Sequence, residues 1–284
     1  MIDLHAHTNK SDGTLSPTQL VELGCKKGLT ALAVTDHDTI AGVAEALEAA
    51  KTLRASGKYE TVPEVIPGIE FSTEWNGGDV HVVGLNLDLE SEGFQKELPG
   101  FLDSREGRNR EMAKRLKEAG IGICYEGLEK MFPDRVLTRA HFATYLLEYG
   151  YVKSTKEAFD RYLSPGCPCY VPREKVTPTA AVKMTLAAGG IPVLAHPMIY
   201  HLPEEDIRAL VTEMKEAGLV GIEAIYCTYS EEDEAFVRKL AKEYDLKISG
   251  GSDFHGDTKP GLDLGTGYGS LCVPDEVWQD LKNA

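Results

Sequence analysis

The chain has 284 residues, of which 42% are hydrophobic, and its formal net charge is −15. This size and composition suit one large α/β domain with a sizeable core, and the acidic balance excludes a general duplex-binding surface, where lysine and arginine must neutralise phosphates. No apolar run reaches the roughly 18 residues of a membrane span, the N-terminal MIDLHAHT lacks a secretory signal, and the scattered cysteines form no C-x-x-C pair, so we expect a cytoplasmic protein with reduced thiols.

Strand and helix patterns alternate along most of the chain. Apolar runs predict strands, and caps such as Ser16-Pro17 before an amphipathic segment and Gly28 after it predict helices. The predicted strands are 2–6, 29–37, 64–72, 79–87, 191–197, 221–226 and 246–256. The predicted helices are 16–28, 39–57, 177–190, 203–218 and 230–245. Such alternation is typical of a parallel sheet or barrel.

The alternation stops in the middle of the chain. Helical patterns follow one another there without a buried strand between them, at 104–120, 137–150 and 154–166. We therefore predict a helical insertion at residues 98–172. The barrel core would then be discontinuous, formed by residues 1–97 and 173–284.

Six of the eight histidines lie beside the ends of predicted strands, namely His5, His7, His37, His81, His196 and His255. Strand ends of a barrel converge on one face, where active sites lie, and side chains at i and i+2 point to the same side of a strand. His5 and His7 are therefore able to bind one ion together. A single histidine in such a place is usually a hydrogen-bonded structural residue, but six beside acidic residues indicate a metal site.

Three acidic residues complete the candidate ligand set. The whole set is His5, His7, Asp12, His37, Glu70, His81, His196, Asp253 and His255. Imidazoles mixed with carboxylates, without thiolates, suit zinc, manganese or iron better than calcium. Nine ligands are too many for one tetrahedral ion, so we expect two or three. Such a cluster produces hydroxide at neutral pH and stabilises the charge that develops on a phosphoryl group.

The motifs HAHT, SDG, TDHD, GIEFS, AHP and SDFH follow one another from His5 to His255. This series resembles the PHP (polymerase and histidinol phosphatase) family of metal-dependent phosphoesterases. The resemblance implies an α/β fold, a distorted (β/α)7 barrel, with three divalent metal ions (Mn, Zn or Fe) at the strand ends. It assigns His5, His7, Glu70 and Asp253 to the first ion, Asp12, His37 and His255 to the second, and Glu70, His81 and His196 to the third.

The residues that flank His37 have two open interpretations. Asp36 and Asp38 either orient His37 from outside the ligand set or serve as strand-end and helix-cap residues. Ser252 stands beside Asp253, but no free histidine is assigned to it as a base, so a covalent serine route is disfavoured.

The predicted insertion sharpens the resemblance. The segments TRAHFATYLLEYGYV and EAFDRYLSPGCPCYVPR resemble the branch of the family that acts on nucleotide-type monoesters. In that branch the inserted helices lie over the metal site and help to hold the substrate. The expected partner is therefore a small phosphorylated substrate, with no duplex nucleic acid and no membrane. The oligomeric state stays open.

Arginine offers a fork of donors to a phosphate, and Arg139 is the first candidate for this role. Arg105, Arg108 and Arg115 share one face of a predicted helix; Arg105 and Arg108 are candidate substrate contacts, with a solvated basic face as the alternative. His141 lies two residues from Arg139 and is a candidate to contact substrate or donate a proton.

A few further side chains are candidates to face the substrate. His201 is a candidate contact or proton donor, although a loop position would explain it equally. Tyr200, Tyr226 and Phe142 either stack on a base or fill the core.

These residues predict hydrolysis of a phosphate monoester by a metal-bound hydroxide, with Arg139 and the ions bearing the developing charge. Two alternatives remain. One is a phosphodiesterase or cyclic phosphodiesterase, which the same ligand set allows. The other is an amidohydrolase-type enzyme acting on carbon–nitrogen bonds, because such barrels also begin with an H-x-H pair.

Overall fold

The computed structural model describes residues 1–172 and 176–284, and in this part of the chain seven strands form one sheet in chain order. The strands are β1 (Ile2–Asp3), β2 (Ala31–Val34), β3 (Glu64–Trp75), β4 (Gly78–Leu85), β5 (Ile191–Leu194), β6 (Gly221–Tyr226) and β7 (Lys247–Gly251). The Leu4 amide donates to Gly250 O and the His7 amide to Phe254 O, which nearly closes the sheet into a barrel. The predicted α/β barrel is thereby confirmed.

Closure depends on a very close approach of β7 to the segment after β1. A Cβ atom at Gly251 would lie 2.5 Å from the Cβ of His5, a distance that side chains cannot tolerate. Asp3 is fully buried at the same seam and accepts hydrogen bonds from the amides of His5 and Ser252 and from the Ser252 hydroxyl. Ser252 therefore holds the barrel closed.

β4 departs from the expected parallel arrangement. It pairs antiparallel with β3 and with β5, because a two-residue turn at Asn76 and Gly77 connects it to β3. Both turn residues have positive φ, 49° and 80°, as tight hairpins that fit the strand twist require. The reversal brings the start of β4, with His81, to the rim where the parallel strands end.

Helices cover the outside of the sheet. They are α1 (Pro17–Lys27), α2 (Val43–Ser56), α3 (Glu92–Glu118), α4 (Tyr125–Met131), α5 (Arg139–Glu148), α6 (Thr155–Ala158), α7 (Pro178–Ala187), α8 (Glu204–Glu216), α9 (Glu231–Glu243) and α10 (Asp275–Lys282). The cap predicted for the first of them is present, since the Ser16 hydroxyl accepts the Gln19 amide. None of the described helices has both the length and the apolar character to cross a membrane. All six cysteines lie in the described ranges and are free.

α3 is longer than the sequence predicts. The sequence pattern predicts a helix at 104–120, yet the helix begins at Glu92, because Phe94 and Leu98 are buried in the apolar cluster beside β3 and β4. Further along the same helix, Met112 and Leu116 belong to a different apolar cluster, shared with α4 and α5. α3 thus joins the barrel to a second core.

The insertion boundaries stay a prediction. The second apolar cluster extends from Met112 to Cys169, within the predicted insertion 98–172, but α3 crosses its first boundary. The start of the second core segment, residue 173, lies outside the described residues.

Candidate metal centre

The fold brings the nine predicted ligands together at one rim of the barrel. His5, His7 and Asp12 follow β1, and His37 follows β2, where it forms a bridge with Glu70 of β3. The remaining members come from the start of β4 and from the segments after β5 and β7, namely His81, His196, Asp253 and His255. All except the partly buried His81 are buried.

Glu70 is the hub of this centre, and its side chain is only 1% exposed. Among the described residues, five imidazole nitrogens lie within 3.3 Å of its two oxygens. Around Oε1 lie His81 Nδ1 at 2.8 Å, His196 Nε2 at 3.0 Å and His5 Nε2 at 3.3 Å. Around Oε2 lie His37 Nδ1 at 3.1 Å and His7 Nε2 at 3.2 Å.

The two aspartates extend the cluster away from Glu70. Asp253 Oδ1 lies 3.3 Å from His7 Nε2, and Asp12 Oδ1 lies 3.3 Å from His255 Nε2. The other oxygen of Asp12 is 3.7 Å from His37 Nε2. Asp253 thus contacts the ring of His7, and Asp12 contacts the rings of His255 and His37.

Several polar atoms of this centre have no hydrogen bond within the described part of the chain. They are buried and are His5 Nε2, His7 Nε2, Asp12 Oδ1 and Glu70 Oε2. Buried polar atoms are normally satisfied. Here His7 Nε2 lies 3.2 Å from Glu70 Oε2, His5 Nε2 lies 3.3 Å from Glu70 Oε1, and Asp12 Oδ1 lies 3.3 Å from His255 Nε2. The donor groups that meet within 4.8 Å are His7, Asp12, His37 and His255; His5, His7, Glu70 and Asp253; His5, His196 and Glu223; and His37, Glu70 and His81. The residues therefore fit divalent metal ions.

The charges of the centre agree with this fit. Burial raises the pKa of the Glu70 carboxyl group, but the nearby His81, His37 and His5 outweigh burial and hold the pKa well below its usual range. Burial likewise lowers the pKa of His7, yet Asp253 and Glu70 raise it to about 9. The buried carboxylates are thus ionised and need nearby positive charge, which divalent cations supply when bound.

Asp36 and Asp38 support the rim in different ways. Asp36 is buried and accepts hydrogen bonds from the Thr8 amide and hydroxyl and from the Ser11 hydroxyl, at 2.8, 2.6 and 2.6 Å. It therefore fixes the loop that carries Asp12. Asp38, with φ of 53°, accepts the Ser72 amide at 2.9 Å, and the Ser72 hydroxyl lies 3.2 Å from His37 Nδ1.

A cavity of about 170 Å³ opens beside the metal centre. The lining of the cavity includes three predicted ligands, Asp12, His37 and His81. The lining also includes Arg105, Arg108, Thr138, Arg139 and Phe159, which come from the segment 98–172 that the sequence predicts to be inserted. The three arginines that the sequence singled out for substrate therefore line the same small space as three of the predicted metal ligands.

Two of these arginines are held by carboxylates. Arg105 is buried and donates from Nε to Asp38 at 2.7 Å and from Nη2 to the Ser72 hydroxyl at 2.6 Å. Arg139 forms an ion pair with Asp79 at 2.7 Å. The sequence analysis missed Asp79, although it stands two residues before His81 and hence on the same face of β4.

His141 and His201 lie outside the described lining of this cavity. His141 is buried, accepts the Thr138 amide at 2.9 Å and packs against Phe132, and burial lowers its pKa to about 4. It is therefore neutral near pH 7. His201 is exposed at the end of a 3-10 turn, Pro197–Tyr200, with φ of 53°.

The aromatic candidates take up structural positions. Phe142 is fully buried in the second apolar cluster. The Tyr200 hydroxyl accepts the His81 amide at 2.8 Å and donates to Ala195 O at 2.7 Å. The Tyr226 hydroxyl donates to Asp253 Oδ2 at 2.8 Å. The core-filling interpretation of these three residues is the one that their contacts favour.

Three further residues at the centre escaped the sequence analysis. Lys259 lies 2.6 Å from Asp253 Oδ2, and the Thr138 hydroxyl donates to Asp12 Oδ2 at 2.8 Å. Glu223 is buried in β6, 3.2 Å from His5 Nδ1. Only Glu223 had a signal in the sequence, because it is the one charged residue in the apolar strand GIEAIY.

Comparison with known proteins places the chain in a family. A family model described as the PHP domain matches residues 3–164, which is more than half of the chain, and the protein belongs to this family. The chain is 40% identical over 253 residues to a 5′-3′ exoribonuclease of Haemophilus influenzae, covering 89% of each chain. It is 34% identical to a 3′,5′-nucleoside bisphosphate phosphatase of Chromobacterium violaceum, covering 99% and 96%.

A third relative and two solved structures extend the comparison. A phosphoribosyl 1,2-cyclic phosphate 1,2-diphosphodiesterase of Eggerthella lenta is 31% identical, covering 89% of this chain and 94% of the relative. An amidohydrolase structure from Chromobacterium violaceum, with bound sulfate and no metal, has a TM-score of 0.86 at 33% identity, covering 99% and 96%. A candidate metal-dependent phosphoesterase from Bifidobacterium adolescentis has a TM-score of 0.82 at 27% identity, covering 99% and 94%. The protein is thus a hydrolase of the PHP phosphoesterase type.

Proposed function

We propose that the protein hydrolyses the phosphate monoester of a small nucleotide- or sugar-phosphate-like substrate. The observation that carries this proposal is that Arg105, Arg108 and Arg139 line a cavity of about 170 Å³ together with three members of the nine-residue cluster. A space of that size suits a phosphoryl group with part of its sugar. The relatives named above act on nucleoside bisphosphates, RNA and a ribose cyclic phosphate, as their names state.

We infer that the cluster holds three divalent ions, manganese, zinc or iron. The first would take His5, His7, Glu70 and Asp253, which form one group of converging donor atoms. Asp12, His37 and His255 form part of a second such group, and Glu70 and His81 part of a third, to which His196 would add Nε2. Bound ions of this kind lower the pKa of water and stabilise charge on a phosphoryl group.

The arginines supply the binding part of the proposed reaction. Arg139, held by Asp79, would donate to the phosphate oxygens, and Arg105 and Arg108 would add positive charge to the lining of the same cavity. Phe159 and Thr138 line the same cavity. His141 is neutral and accepts a hydrogen bond from the Thr138 amide. We therefore assign it the role of positioning Thr138 in the cavity lining rather than proton donation.

A second candidate function is diester cleavage at the end of a short single-stranded nucleic acid. A groove of about 880 Å³ runs along α3 and shares Arg108 with the cavity. Lys96 and Arg115 line the groove together with Glu97 and Asp103. A substrate longer than one nucleotide would extend from the cavity into this groove, and the basic residues would contact its backbone.

Steady-state hydrolysis of a substrate panel tests both candidates. The panel contains AMP, a 3′,5′-bisphosphonucleoside, histidinol phosphate, a ribose cyclic phosphate, a short oligoribonucleotide, a generic diester and amide substrates, with manganese added and metal content counted. Preference for the mononucleotides with about three ions per chain supports the first proposal. Preference for the oligonucleotide or a diester supports the second. Amide hydrolysis without phosphate release from a metal-loaded sample overturns both.

A further inference from the structure

Glu223 is a buried acid that stands outside the nine-residue ligand set. It occupies the third position of β6 and is 2% exposed. No lysine or arginine pairs with it in the described part of the chain. A buried carboxylate is costly unless its neighbours offset the burial, so its position calls for a role that these neighbours explain.

The first neighbour is the ring of His5. Glu223 Oε1 and Oε2 lie 3.2 and 3.4 Å from His5 Nδ1. The other ring nitrogen, Nε2, is directed to the centre, 3.3 Å from Glu70 and 3.5 Å from Asp253. Glu223 therefore contacts His5 on the side away from the converging donor atoms, and a proton on Nδ1 would leave Nε2 free as a ligand.

The second neighbour is the backbone of His196. Its amide donates to Glu223 Oε2 at 2.8 Å. His196 has φ of 25° and ψ of 57°, a conformation that is unfavourable for residues other than glycine. A hydrogen bond from this amide to a buried carboxylate offsets that cost. The same backbone conformation places His196 Nε2 3.0 Å from Glu70.

We propose that Glu223 is a positioning residue that sets two ligands at once: it fixes the Nδ1-protonated form of His5 and the left-handed backbone of His196. This inference rests on the proposed metal centre, but not on the substrate. Glu223 also belongs to a converging donor group with His5 and His196, but we assign it hydrogen bonds rather than a tenth ligand position, because it contacts His5 at Nδ1 and not at Nε2, the nitrogen beside Glu70. One residue of β6 thus couples the ends of β1 and β5 at the rim.

The test compares Glu223→Ala and Glu223→Gln with the wild type and with Glu213→Gln, a surface control whose partner is Trp75. Zinc affinity and the number of ions at saturation are measured by competition with a fluorescent chelator. Outer carboxylate partners of metal-binding histidines are worth about 10- to 100-fold in affinity. We expect Glu223→Ala to weaken zinc binding by that factor, with the wild-type number of ions at high zinc.

Glu223→Gln should lie between the two, because one amide oxygen can accept from only one of the two donors well. Long-range ¹H–¹⁵N spectra should show His5 protonated on Nδ1 in the wild type and a mixture of tautomers in Glu223→Ala. Unchanged affinity in both Glu223 variants overturns the proposal, as does an ion missing at saturation, which would make Glu223 a ligand. If Glu223→Ala fails to fold, the isosteric glutamine variant decides. Zinc affinity is independent of the reaction, so a failed substrate assignment leaves this result standing.

Discussion

The metal centre and the three arginines that line the cavity, Arg105, Arg108 and Arg139, are two neighbouring polar regions. We call these arginines the wall, and the two regions are stabilised in different ways. In the metal centre, histidines from several strand ends surround the single carboxylate of Glu70. In the wall, Arg105 pairs with Asp38 and Arg139 pairs with Asp79. The centre is one coupled network, whereas the wall consists of local pairs. Substitution of one residue should therefore disturb the whole metal centre, whereas in the wall it should disturb only the ion pair of that residue.

Glu70→Gln should have the largest effect on activity and on bound metal. The variant leaves the imidazoles without their shared counter-charge, and removal of one partner from a buried ionic cluster costs about 3–5 kcal/mol. We expect kcat/KM to fall by about 10³-fold or more and bound metal to fall with it. The control is Glu64→Gln on the same strand, which is about half exposed and accepts from Trp278. A Glu70→Gln variant with a tenth of wild-type activity and full metal content would contradict the role of Glu70 as the carboxylate that the imidazoles share.

Arg139→Lys should have a smaller and more selective effect. Lysine keeps the charge but loses the fork that serves Asp79 and a phosphate together, and a hydrogen bond to a charged group is worth about 1.5–3 kcal/mol. We expect kcat/KM to fall by about 10- to 100-fold, with metal content unchanged. Arg110→Lys, at an exposed position with Glu106 and Glu126 as partners, is the control. Equal kinetics of the two variants would remove Arg139 from the site.

His141→Gln tests whether the buried His141, next to Thr138 of the cavity lining, stays neutral, and the readout is the pH dependence of stability. The pKa of His141 is lowered from 6.5 to about 4 by burial, so between these values the unfolded chain binds the extra proton and stability falls as the pH falls. From pH 7 to pH 5 this loss amounts to about 2 kcal/mol. Glutamine retains a capping side chain at this helix position and cannot titrate.

Urea unfolding of both proteins at pH 7 and pH 5, with excess chelator throughout, gives the comparison. The wild type should lose about 2 kcal/mol more than His141→Gln over this interval. Parallel losses in the two proteins would show that His141 titrates normally and that burial does not keep it neutral.

Thr138→Val is the smallest change and tests the link between the two regions. The Thr138 hydroxyl donates to Asp12 of the metal centre and also caps α5, so its loss should cost about 1 kcal/mol of stability. We expect a decrease of a few degrees in Tm and a drop in kcat/KM of about fivefold. Thr138→Ser keeps the hydroxyl and should behave as the wild type. Thr138→Ser loses only the methyl group, so an effect in this variant as large as in Thr138→Val would contradict the role of the hydroxyl.

The convergence of the nine candidate ligands was predictable because a closed sheet forces its strand ends to one rim, whatever the loops between them. His5, His37 and Asp253 are far apart in sequence, yet their position after a strand is enough to bring them together. The direction in which each strand runs was harder to predict. β4 runs opposite to its neighbours, and its signal, Asn76-Gly77, is a turn rather than a strand pattern.

The partners of the arginines could not be predicted in the same way. A helix face specifies which side chains point together, but the residue they meet comes from another element at an unrelated distance in sequence. Arg105 meets Asp38, and Arg139 meets Asp79. α3 also began earlier than predicted, because the burial of Phe94 and Leu98 outweighs the local cost of Pro99.

α3 has a mechanical consequence for access to the cavity. With 27 residues it is a rod of about 40 Å, anchored at one end in the barrel and at the other in the second core. Pro99 is its weakest step, since proline removes a backbone hydrogen bond there. Arg105 and Arg108 both lie beyond that step. Because Arg105 is held to the barrel by Asp38 and Ser72, this part of the rod is pinned beside the cavity, and the helix itself fixes the spacing of the two guanidinium groups that line it.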